Sequence, residues 1–101
     1  MADIRKARAA LIARILEGEG RASHTQRRSA FDNAAFDEPL ATLIRKLTRQ
    51  AHEITDHDVA AARASGLSED QIFELVVCAA VGQATRQHDA ALAALESATK
   101  E

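Results

Sequence analysis

The chain contains no tryptophan and no tyrosine, and only three phenylalanines, one proline, four glycines, one cysteine and one methionine. So few aromatic and turn-forming residues argue against a β sandwich or barrel, which needs many short strands separated by Gly- and Pro-rich turns. A lone cysteine, Cys78, excludes an intramolecular disulfide. It sits in the apolar run Leu75-Val76-Val77-Cys78-Ala79-Ala80-Val81, where a thiol behaves as a small hydrophobe with a raised pKa. No apolar run approaches the roughly 18 residues of a transmembrane helix, so no membrane partner is expected. Met1-Ala2-Asp3-Ile4-Arg5-Lys6 carries no long apolar core or cleavage pattern, and the expected location is cytoplasmic.

Strong net charge is missing too. The total is −2, too near neutral to imply a polyanionic partner for the whole chain. Its distribution is uneven: residues 1–28 carry seven Lys or Arg against three acids, and residues 29–101 carry six against twelve. Solvated helix faces that complement one another between subunits account for that pattern. Nucleic-acid binding needs a basic stripe with aromatic or amide readers, and at 3% aromatic residues none is expected.

What is present is alanine, 23 of 101 residues. Nine Leu, six Ile, four Val and three Phe supply most of the bulk, just above the roughly 20% below which disorder is the default. Alanine and leucine favour helix, so the fold class is all-α, a single domain over residues 1–101 with about five helices. A chain this short buries a small fraction of its surface, and alanine adds little burial per residue. Packing against copies of itself is the remedy, and a homo-oligomer is expected.

Ile4, Leu11, Ile12, Ile15 and Leu16 recur at helical spacing after a potential Asp3 cap, and Gly18 and Gly20 end that helix. Ser23 can cap a short helix in the polar stretch from Arg21 to Phe36. Asp37-Glu38-Pro39 reads as a capping acid followed by a first-turn proline, opening a helix with Leu40, Leu43, Ile44 and Leu47 on one face. Thr55 with Asp58 resembles a capping box for a helix through Ala64, ended by Gly66 with Leu67 as a Schellman contact. Ser68 with Gln71 is a second capping box, opening a helix from Glu69 to about Ala98. Its first half is apolar nearly all round, and Ala79, Ala80, Gly82 and Ala84 admit a close helix neighbour. Ile72, Val76, Val77, Ala80, Val81 and Gly82 are therefore the expected oligomer interface.

The passage from Ala60 to Val81, AAARASGLSEDQIFELVVCAAV, resembles the signature of the alkylhydroperoxidase-D-like, or carboxymuconolactone decarboxylase, superfamily. The likeness covers roughly residues 38–97 and rests on the Gly-Leu-Ser turn and the long apolar helix. It implies an all-helical subunit assembled as dimers, trimers or hexamers. The redox branch carries Cys-x-x-Cys with a following histidine, because one helical turn brings both sulfurs within bonding distance beside a base. Here the histidine slot falls on Asp58 and the cysteine slots on Ala51 and Ile54. Shifting by one residue places His57 correctly but leaves Gln50 and Glu53 where thiols belong. The relay glutamate of that branch falls near Glu38 and Pro39, and Cys78 matches no motif position.

Without its dithiol, a family member is expected to serve a non-redox role: ligand binding between subunits, scaffolding or protein interaction. The alternative is a cofactor-free acid–base enzyme, like the decarboxylase branch, acting on a small acidic substrate. His52, Glu53 and His57 would be its acid or base, with Arg45, Arg49 or Arg86 holding a carboxylate. Gln50, Asp56 and Asp58 complete the polar set around the vacant motif, and a polar helix–helix turn is the simpler explanation of it. The two histidines are five residues apart rather than four, so one-face zinc geometry fails and no metal or other cofactor is expected. His88-Asp89 reads as an exposed or interface pair.

Overall fold

A computed structural model describes residues 2–99 and is helical, with no strand among the described residues. Five α-helices follow in order: α1 (Ala2–Glu17), α2 (His24–Phe31), α3 (Leu40–Arg49), α4 (Asp56–Ala64) and α5 (Glu69–Thr99). A single 3-10 turn, Ala51–Glu53, separates α3 from α4. The molecule measures 53 × 29 × 19 Å, because α5 has 31 residues and outruns every partner.

Local chemistry accounts for most helix ends. Ser23 Oγ accepts from the Gln26 N–H while Gln26 Oε1 accepts from the Ser23 N–H, a complete capping box. Thr55 and Asp58 do the same for α4, and Ser68 and Gln71 for α5. Gly66 follows α4 at φ +108°, a conformation that L side chains adopt only with strain, and its N–H donates to Arg63 O. Gly18 ends α1 with a last bond to Arg14 O.

Two helix starts differ from expectation. The first helix begins at Ala2, so Asp3 lies within it, and the Asp3 side chain expected as a cap is outside the described residues. At α3 Pro39 itself occupies the N-cap position and no side chain caps the helix. The Asp37 carboxylate does not cap: its backbone carbonyl accepts from Ala41 instead. Glu38 turns away to accept from the Thr42 hydroxyl.

The core forms where α1, α2, α3 and α4 meet the first half of α5. Leu43, Leu75 and Cys78 are its largest fully buried side chains, joined by Leu16, Ala30, Leu40, Ile44, Ala62, Ile72 and Ala79. The short α2 lies closest to α5. A Cβ at Gly82 would stand 2.7 Å from the Phe31 carbonyl carbon and 2.9 Å from Phe31 Cα, so only glycine permits that approach. Ile72 and Gly82, expected between subunits, are thus buried within one chain. Val76, Val77 and Val81 are half-buried and Ala80 is exposed.

Candidate functional site

His52 and Glu53 sit in the 3-10 turn and His57 in the first turn of α4; all three are exposed. None lines any of the five best-formed hollows among the described residues. No group of three His, Cys, Asp or Glu side chains among the described residues is arranged to hold a metal ion. The turn positions a different residue tightly. Asp58 accepts from Lys46 Nζ at 2.9 Å and from the Thr55 N–H and hydroxyl at 2.9 and 3.1 Å. The Lys46 bond first, then the Thr55 N–H, holds the Asp58 carboxyl well down, from 3.8 to about 2. This is an anchor between α3 and α4 rather than a proton carrier at neutral pH.

The candidate carboxylate-binding arginines separate. Arg45 and Arg49 flank a shallow hollow of about 260 Å³ between α3 and the 33–36 loop. Arg86 does not line that hollow and is occupied: its Nη1 donates to Phe31 O and its Nη2 to Gln83 Oε1. His88 and Asp89 are exposed on α5, where Arg8 reaches both, at 3.0 and 3.1 Å. That contact, with the Cys78 thiol donating to Ile15 O at 3.4 Å, shows α1 running antiparallel to α5.

A more enclosed feature lies at the junction of α1, α2 and α5. A cavity of about 490 Å³ is walled by Arg14, Ile15, Gly18, Glu19, Arg27, Phe73, Glu74 and Val77, and it continues into a wider cleft beside His24 and Asp70. Arg27 is only 4% exposed, the one buried charged residue among those described. Its Nη1 donates to Gly18 O at 2.6 Å and Ile15 O at 3.4 Å, closing the carbonyl end of α1. Across the cavity, Glu74 folds back and accepts from the N–H groups of Arg21 (2.7 and 2.9 Å) and Ala22 (2.6 Å). Cys78 lies behind this wall; burial pushes its thiol pKa up, nearby Arg27 opposes that rise, and Glu74 adds to it.

Nothing in the sequence singled out Arg27 or Glu74. Arg27 reads as one more cation in a basic segment, and its burial follows from a neighbour in another helix. A usable signal was the glycine pair Gly18 and Gly20: a Cβ at Gly20 would collide with the Glu74 carboxylate, so that glycine marks the approach. Comparison with known proteins gives no relative: no family model, no curated protein and no solved structure matches the chain.

Proposed function

We propose that this chain is a non-redox, self-associating helical subunit with a binding or scaffolding role, built like the alkylhydroperoxidase-D-like proteins it resembles but without their dithiol chemistry. The observation that carries this reading is one exposed apolar face. Phe73 is 66% exposed, Ile4 65% and Leu95 60%, with Leu11 and Leu92 also open to solvent. At about 100° per residue, Phe73, Val77, Ala80, Ala84, Ala91 and Leu95 fall in one stripe along α5. Ile4, Leu11 and Ile15 form a matching stripe on α1, and Ile15 lines the same cavity as Phe73 and Val77. The two stripes therefore lie side by side.

The occupant that suits this face is a second copy. Residues 87–99 are all exposed, about 20 Å of helix on which Arg8 of α1 reaches only His88 and Asp89. The face is also polar along its length. Because α1 is antiparallel to α5, basic Arg5 and Lys6 lie toward the Leu95 end, while Glu69 and Asp70 lie at the Phe73 end. A two-fold, antiparallel pairing brings basic end to acidic end twice over. The acid–base alternative has no comparable support, since His52, Glu53 and His57 stand exposed outside the cavities.

Light scattering at micromolar concentration should show at least a dimer. Leu11→Asp combined with Leu95→Asp should give a monomer with helical circular dichroism intact, because both residues are exposed in the single subunit. A folded wild-type monomer would sink the reading.

A further inference from the structure

We propose that the cavity between α1, α2 and α5 is a binding site for a small organic monocarboxylate with an apolar body, held by Arg27. The guanidinium presents an unfinished hydrogen-bond set. Nη1 is taken by the carbonyls of Gly18 and Ile15, while Nε is buried with no partner. No ion pair among the described residues includes Arg27. A buried cation facing only helix-end carbonyls lacks the counter-charge that normally accompanies burial. The edge left without a hydrogen-bond partner, Nε with Nη2, is the side by which a guanidinium grips both oxygens of a carboxylate.

The rest of the wall specifies the ligand. Arg14 supplies a second positive charge, and Ile15, Phe73 and Val77 supply apolar surface. The exposed Phe73 ring is available to cover a flat or aliphatic body at the mouth. Glu74 is no substitute counter-ion, because its oxygens are committed to the Arg21 and Ala22 N–H groups. Its charge and that of Glu19 repel multiply charged anions, which disfavours phosphate and dicarboxylates against a single carboxylate. About 490 Å³ lies within the usual range for a small-molecule site. One chain builds the whole cavity; a second copy on the α1–α5 face would cover its mouth without contributing its floor.

Benzoate, its neutral analogue benzamide and inorganic phosphate separate the contributions. In a nitrogen-15 NMR titration of the full chain, benzoate should shift the Arg27 Nε–H and the amides of Gly18 and Ala22 and saturate. Benzamide should bind at least about tenfold more weakly, because it forfeits a charge-assisted pair. Phosphate should bind more weakly than benzoate. Arg14→Gln and Phe73→Ala alter partly open walls and should each weaken benzoate several-fold in a folded protein, whereas Arg27→Gln tests the site only if its helicity is retained. Equal affinity for benzoate and benzamide, no benzoate response at millimolar concentration, or unchanged affinity in both wall variants would overturn the proposal and leave Arg27 as a helix cap. Light scattering on the same samples separates this from self-association: a monomer that binds benzoate refutes only the assembly, and an assembly that ignores benzoate refutes only the site.

Discussion

At the scale of single residues, Asp58 and Cys78 illustrate opposite effects of their surroundings. The Asp58 carboxylate is held by Lys46 and Thr55, and its pKa falls to about 2. Its unfolded value is near 3.8, so the folded state favours the charged form. The stabilisation is complete above roughly pH 4 and is lost as pH drops through about 2. An NMR titration of the Asp58 carboxyl carbon should show this low midpoint, and Lys46→Met should return it toward 3.8. A wild-type midpoint already near 3.8 would mean that the Lys46 bond is not formed in solution. Cys78 moves the other way, since burial disfavours its thiolate. A thiol reagent at neutral pH should leave it unmodified in the native protein and label it quickly in denaturant. Peroxide consumption with a dithiol reductant should equal the protein-free control, because peroxidase chemistry needs a reactive thiolate and a resolving thiol. Turnover that vanishes in Cys78→Ser would refute that expectation.

At the scale of elements, helix ends were the most legible part of the sequence. A capping box needs only two polar side chains three residues apart, and all its atoms lie within one turn. Ser23, Thr55 and Ser68 therefore announce α2, α4 and α5 without reference to tertiary structure. Ser23→Ala should cost about 1 kcal/mol and lower the thermal midpoint by several degrees, measured by circular dichroism. Pro39 shows the limit of local reading: a proline near a helix start fits either the first turn or the cap, and the chain takes the second. Gly82 is a mixed case. Glycine inside a helix signals a close neighbour, but which helix approaches is not a local property, and the neighbour is α2 of the same chain. Gly82→Ala forces its methyl into the Phe31 backbone and should destabilise by about 1–3 kcal/mol despite raising helix propensity. Unchanged or raised stability on denaturant unfolding would mean that α2 does not sit this close.

At the scale of the whole molecule, the core occupies one half of a long object. Only the first half of α5 has neighbours on several sides, and residues 87–99 are exposed throughout. Alanine-rich helix of this length is marginal alone. Hydrogen exchange in residues 90–99 should be fast in dilute protein and slow as concentration rises, while Leu43, Leu75 and Cys78 stay protected throughout. Protection at the end of α5 that does not change with concentration would argue against a second copy lying there.

The sequence by itself determined the all-helical class, the extents of α4 and α5 to within a residue or so, two capping boxes, the Ser23 cap and the absence of a redox dithiol. Those are properties of composition, of i to i+3 and i+4 spacing, and of which atoms exist at all. It also marked a turn rich in charged side chains at residues 50–58, although nothing in that pattern says whether such side chains converge. Tertiary structure alone decided that Arg27, one cation among seven in the first 28 residues, is the buried one, and that Glu74 turns back onto Arg21 and Ala22 across 53 and 52 residues of chain. Burial and electrostatic pairing depend on distances through space, and no spacing along the chain encodes which helices meet until the apolar faces have packed.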